Sequence, residues 1–180
     1  MMHARKPSVA LITVMLLATA GCHSKSAPNA KNFTTGLNAY FLEHSECLFP
    51  DAPHFPYETS DPVRTKQMNA LVDSKLLKVA LDPTIHVSRY TTTVTGARFA
   101  PRFCYGHRVV SSIDSFTPPA QKNGFPETQV DYHYTVEDIP IWAKSEAMRA
   151  AFPALAKAEE GPQTAKATLA GTMAGWQVPD

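Results

Sequence analysis

In TQVDYHYTVED, residues 128–138, polar and apolar side chains alternate from Gln129 to Glu137. Val130, Tyr132, Tyr134 and Val136 share one face; Gln129, Asp131, His133 and Thr135 share the other. Successive side chains of a strand point to opposite faces, so the pattern predicts a half-buried strand with one wet side. Upstream, FCYGHRVVSSIDSF (103–116) is rich in β-branched and aromatic residues and reads as a second strand. TPPAQKNGFPE (117–127) between them is turn chemistry. Downstream, ATLAGTMAGWQV (167–178) predicts a last strand with Leu169, Met173 and Trp176 in the core. Strands in succession joined by short polar turns favour antiparallel pairing.

The first half is helical. NFTTGLNAYFLEHSECLF places Phe33, Leu37, Tyr40, Phe41, His44 and Leu48 at helical spacing, predicting an amphipathic helix over 33–47 capped by Asn32 or Thr34. FPDAPHFPYETSDP (49–62) holds four prolines and no regular helix. Asp61-Pro62 is an N-cap followed by proline at the first helical position, so a second helix is expected over 62–74, burying Val63, Met68, Leu71 and Val72. IPIWAKSEAMRAAFPALA (139–156) predicts a helix from Pro140 to a stop near Pro153, burying Ile141, Trp142, Met148 and Phe152. The class is α+β: N-terminal helices, then an antiparallel sheet with a packed helix.

Residues 71–100, a helix ending in Leu-Val, a Leu-Leu pair, a hairpin and then Tyr-x-x-Thr-x-x-Gly-x-x-Phe, resemble the back half of a winged helix. That resemblance implies a DNA or protein contact. The helix before it carries only Arg64 and Lys66 and is no basic recognition helix, so no nucleic-acid partner is expected, and the resemblance reads as a shared packing pattern or as a winged-helix shape used for protein contact.

The chain begins MMHARKPSVALITVMLLATAGCHSK. Arg5 and Lys6 precede an uncharged run from Ser8 to Ala20, about a dozen residues where a bilayer span needs roughly 20. A basic start, a short apolar run and small residues at its end predict a secretory signal peptide over 1–21. Ala18-Thr19-Ala20-Gly21-Cys22 resembles the lipobox of bacterial lipoproteins, with Thr19 where Leu is usual. The resemblance implies cleavage before Cys22 and a covalent lipid on its thiol and amine, the only cofactor expected. It also implies anchoring to the outer membrane, facing the periplasm, because His23 replaces the Asp of inner-membrane retention. Cleavage near Ala20 without a lipid is the alternative. HSKSAPNAKN predicts a flexible tether over 22–32, and 33–180 forms one α+β periplasmic domain. Removing 21 of the 180 residues leaves 159, with 15 Lys+Arg against 16 Asp+Glu, an ordinary mixed surface.

With Cys22 lipidated, Cys47 and Cys104 remain, and in an oxidising compartment they are expected to form a disulfide. A second ligand set overlaps them: His44-x₂-Cys47 and Cys104-x₂-His107 supply the two Cys and two His of a zinc site. His44 and Cys47 share a helix face, but Cys104 and His107 meet one metal only if Gly106 makes a turn or bulge. His133 lies beside Asp131 on the wet face of its strand. Tyr105, His133 and Trp142 are the candidate binding residues, with core packing as the other reading of the aromatics. The sequence holds no G-x-S-x-G elbow, P-loop, G-x-G-x-x-G or H-E-x-x-H.

Several proteobacterial lipoproteins of unknown function look similar in their FCYG, IPxWA and GW segments, which implies a fold and an address. The expected role is a non-enzymatic binding or scaffold module of the envelope, with an envelope protein or small ligand as partner. The alternatives are a metal-dependent protein or hydrolase built on His44, Cys47, Cys104 and His107, and a winged-helix-like peptide-binding domain.

Overall fold

The computed structural model describes residues 24–82, 84, 86–122 and 124–179. The expected signal segment 1–21 and lipid site Cys22 lie outside the described residues.

Helix α1 spans Ala30–Glu43. Its cap is Asn29, upstream of the expected Asn32 or Thr34: the Asn29 side chain accepts from the Asn32 amide at 3.0 Å. Phe33, Leu37 and Phe41, four apart, form its buried stripe. The helix ends before His44, which is exposed at its C-cap rather than part of that stripe. Gly36 lies where α1 meets the C-terminal strand; a Cβ there would fall 2.0 Å from the Trp176 carbonyl oxygen.

The main sheet joins β1 (Glu46–Cys47), β5 (Cys104–Phe116), β7 (Phe125–Glu137), β8 (Gln163–Thr172) and β9 (Gly175–Gln177) in that order, all antiparallel. A second sheet, β2 (Tyr57–Thr59), β4 (Val87–Thr92) and β3 (Leu77–Asp82), runs in the order β2-β4-β3. Helix α2 (Pro62–Asp73) lies between β2 and β3 in the chain, and its cap is Asp61, which accepts from the Arg64 amide at 2.7 Å. The α+β class and the antiparallel pairing follow the sequence pattern.

Several expectations are corrected. The segment 117–127 holds a short strand, β6 (Ala120–Lys122), paired to the start of β7. The single helix expected over 139–156 is broken into a 3₁₀ turn (Ile141–Lys144), α3 (Glu146–Ala151) and α4 (Pro153–Glu159). Pro153 opens α4 instead of merely ending a helix, because its missing N–H and fixed φ suit a first helical position. Ile141 is consequently 91% exposed. Val63 sits in the solvent-facing first turn of α2, 65% exposed. The last strand is a hairpin, β8–β9, and Met173 occupies its turn, fully exposed. Of the tether expected over 22–32, residues 30–32 belong to α1, and the mostly exposed chain from Ser24 is tied to the fold by hydrogen bonds. The Asn32 side chain donates to the Ser24 and Ala27 carbonyls, and the Trp176 indole N–H meets the Ser26 and Ala27 carbonyls at 3.1 and 3.2 Å.

Two hydrophobic clusters result. One packs Phe33, Leu37 and Phe41 of α1 against Val110, Val130, Tyr132, Tyr134, Leu169 and Trp176 of the sheet. The other gathers Phe49, Met68, Leu71, Leu76, Tyr90, Phe103, Met148 and Leu155 among α2, the small sheet, α3 and α4. Val136 touches both. Cys47 and Cys104 are cross-strand partners in β1–β5 and form a disulfide with a sequence separation of 57. Closing a loop of that length in the unfolded chain is worth about 4 kcal/mol at most. Replacing both cysteines by alanine is therefore expected to lower Tm by roughly 5–15 °C. Calorimetry of the double variant checks this, and an unchanged Tm would show that the bridge adds nothing to stability.

Candidate functional site

The disulfide consumes both thiols that a zinc site would need. Gly106 does make the bulge that such a site required: the β1–β5 register shifts between Glu46↔Gly106 and Cys47↔Cys104, with Gly106 at φ +149°. The histidines nevertheless turn elsewhere. His44 stacks on Tyr40, ring centroids 3.8 Å apart, with Nδ1 2.8 Å from the Tyr40 carbonyl. His107 faces Asp138 at 3.5 Å. The four residues are not brought together as a ligand set, and no cluster of three metal-binding side chains occurs among the described residues.

Of the candidate binding residues, Tyr105 belongs to the core, 3% exposed. Burial foremost, with the Glu46 carboxylate adding to it, pushes its phenol up to about 12. Trp142 is half-buried against Phe99, ring centroids 5.4 Å apart, and its Nε1 has no hydrogen-bond partner among the described residues. His133 lies on the wet face of the sheet, but its partner is Asp114, at 2.8 Å from Nδ1, rather than Asp131. The Ser112 hydroxyl approaches the same Nδ1 at 3.5 Å. A serine–histidine–aspartate relay needs the acid and the nucleophile on opposite ring nitrogens. Here both crowd one nitrogen, so the trio has no base-to-nucleophile path. Asp131 instead binds Lys166 at 2.8 Å and Ser115 at 3.0 Å, and the lysine contact, foremost, lowers its carboxyl below the ordinary range.

The site that the fold builds is elsewhere, along β8. On one side of that strand it pairs with β7; on the other, β9 covers only Ala170–Thr172. Residues 163–169 have no strand partner on that side among the described residues, and Thr164, Lys166 and Thr168 are exposed. Two clefts flank this open edge. The first, about 400 Å³, lies on the α1 side, walled by Tyr40 and Phe41, by Ala167 and by Val178, with Arg108 and Tyr132 behind them. The second, about 460 Å³, lies on the wet face among Asp114, Ser115, Asp131, Thr164 and Lys166.

Arg108 is the charged group at the first cleft. Alternation along β5 puts it in phase with buried Val110, on the inner face. Its guanidinium lies over the Tyr134 ring, 4.6 Å from the centroid, and 5.5 Å from that of Phe41. Its Nε donates to Glu46 of β1. Burial alone would lower the arginine; the Glu46 charge and hydrogen bond outweigh it and hold it raised. Burial, by contrast, raises the Tyr132 phenol against the opposing pull of Arg108. Both cations of the region, Arg108 and Lys166, are therefore already matched by carboxylates. What the first cleft offers an occupant is aromatic and apolar wall with a polar rim.

Sequence reasoning missed Tyr40, Phe41, Arg108, Tyr132 and Lys166. Alternation could have flagged Arg108 as an inward charge, but its partner lies 62 residues away. No protein-family profile, curated protein or solved structure matches the chain.

The Arg108–Glu46 pair is 28% and 26% exposed. Arg108→Met strands the carboxylate beside aromatic rings and is expected to cost about 1–2 kcal/mol after allowance for solvent. Adding Glu46→Gln should recover part of that loss. Urea unfolding of the two single variants and the double variant measures the coupling; strictly additive losses would show that the pair is not a working ion pair.

Proposed function

We propose that this chain is a lipid-anchored protein of the bacterial envelope, attached through Cys22 and facing the periplasm from the outer membrane. In this reading it acts as a non-enzymatic binding module. One observation carries the binding role: the open edge of β8 between two clefts. An extended peptide adding to that edge would take its affinity from main-chain hydrogen bonds to β8. Its alternate side chains would fall to either face of the sheet, hence into the aromatic cleft on the α1 side and the polar cleft on the other. The polar cleft, with Lys166 between Asp131 and the edge, would favour a small polar or charged residue. The aromatic one would favour a flat apolar residue. The anchor is supported by the basic, apolar and small-residue pattern ending at Cys22, and an oxidising compartment by the Cys47–Cys104 disulfide.

A second reading places the contact on a winged-helix-like unit. It is supported by α2 followed by the β3–β4 hairpin, by the order β2-β4-β3, and by Val79 and Leu81, 44% and 65% exposed on β3. The two readings bind at different edges.

Peptides selected from a random display library against the full chain are expected to bind saturably. Methylating their central backbone nitrogens should abolish binding, since strand addition uses those N–H groups. Amide shifts should fall on 163–169. Binding that survives N-methylation at every position, or a library that yields no binder, overturns strand addition; shifts confined to 77–92 would move the site to the winged-helix-like unit. For the anchor, Cys22→Ser is expected to release the protein from the membrane fraction of cells. A variant that stays bound sinks the lipid attachment.

A further inference from the structure

The hydrogen-bonded segment Ser24–Asn29 fixes which end of the domain faces its anchor. The Trp176 and Asn32 side chains hold it against the start of α1, and Lys25 lies against the β8–β9 turn, its carbonyl 3.5 Å from where a Cβ on Gly175 would stand. One residue, His23, separates Ser24 from Cys22, and two steps of chain reach at most about 7 Å. A lipid on Cys22 therefore has no long tether to swing on, and the bilayer surface must lie close to this end.

The side chains gathered there fit such a surface. Met173 stands fully exposed at the β8–β9 turn. The register Glu127↔Ala170 places Phe125, 49% exposed, opposite that turn across β7 and β8. Phe116, 41% exposed, packs edge-on against Phe33, which in turn meets Trp176. Around these apolar tips stand three exposed lysines, Lys25, Lys31 and Lys122, against one carboxylate among the described residues of this end, the largely covered Glu127 that Lys122 approaches at 3.6 Å. Apolar tips within a ring of cations suit the interface of a bilayer, where the tips enter the headgroup boundary and the cations meet phosphate.

We propose that this end, comprising the β8–β9 turn with Met173, the β6–β7 turn with Phe125, and Lys25, Lys31 and Lys122, is a docking face for the anionic bilayer that carries the lipid on Cys22. The proposal rests on the lipid-anchor reading. Docking holds the domain in one orientation against the membrane instead of letting it float on a leash.

The test uses the full lipidated chain in vesicles of phosphatidylcholine and phosphatidylglycerol. With Cys22 acylated and Cys47 bridged to Cys104, a single added cysteine is the one reactive thiol. Met173→Cys, Phe125→Cys and, as a control on the far hairpin, Leu81→Cys are each labelled with a polarity-sensitive fluorophore. Emission at 173 and 125 is expected to shift blue and to be quenched by brominated lipid several-fold more than emission at 81. Amide exchange of the unlabelled wild-type chain is expected to slow over 172–175 and at 124 and 125 on adding vesicles, independently of any variant's folding. A chain that floats with vesicles but shows equal quenching at all three sites overturns docking and leaves the anchor standing. A chain that does not float, and whose mass carries no acyl groups, overturns the anchor and docking with it. Docking equally tight on vesicles of phosphatidylcholine alone overturns the role of the lysines.

Discussion

The Cys47–Cys104 bridge sits where the two halves of the molecule meet, and much of the architecture is arranged around it. β1 is only two residues long, too short to hold its place by ladder hydrogen bonds alone. The bridge ties it to the start of β5, and the backbone continues the contact: the amides of Leu48 and Phe49 bond the carbonyls of Phe103 and Arg102. Glu46, one residue before the bridge, reaches Arg108 across the same strands. Phe49 and Phe103, the residues just beyond it, enter the helical cluster and face each other at 6.1 Å. On the other side of the bridge, β5 continues into the sheet beneath α1. One covalent link thus fixes the register of β1, aims Arg108 and seats two core phenylalanines. Phe103 adopts a left-handed backbone, φ 51°, at that corner. For a bulky residue this conformation is costly, of order 1–2 kcal/mol, and the burial of its ring offsets it.

What could be read from the residues divides along physical lines. Alternation over 128–138 located β7 and its buried face correctly, because a strand half in water writes its periodicity into composition. The Asp61-Pro62 start of α2 was legible because capping is local. The failures occurred where a local signal had two meanings. Pro153 follows the end of α3 at Ala151, as a stop signal predicts, and also opens α4, which the same signal does not reveal. Apolar Ile141, Val63 and Met173 fit core positions by pattern, although turns and first helical turns expose them. No hydrophobicity pattern distinguishes a buried methionine from one at a hairpin tip, because the difference is set by where Gly175 lets the chain reverse.

The site was less legible than the fold, and for a different reason. Single residues drew attention by their chemistry: the histidines and cysteines, Tyr105, Trp142. Their roles depended on which atoms met. His133 has acid and hydroxyl beside it, yet both approach one nitrogen, which leaves no relay through the ring. Cys47 and Cys104 have histidines at metal-binding spacing, yet the thiols find each other. Spacing in a chain constrains reach; it does not choose among partners within reach.

The cleft beside β8 shows why no local reading could have found it. One wall comes from Tyr40 and Phe41 near the end of α1, another from Val178 and Pro179 after β9, the floor from Tyr132 and Arg108 in mid-sheet. These residues share no motif and span most of the described chain. They meet because α1 is held at both ends: at its start by Trp176, whose indole binds the carbonyls of Ser26 and Ala27 while its ring meets Phe33, and beyond its C-terminus by the β1–β5 bridge. A helix fixed at both ends cannot roll over the open part of β8, so the edge stays bare and the space beside it keeps its shape. The Gly36 contact with the Trp176 carbonyl sets how closely α1 can lie on β9, and through that the width of the cleft further along the same helix. The cleft is thus a consequence of closure between the two ends of the fold, a property of the assembled chain rather than of any stretch within it.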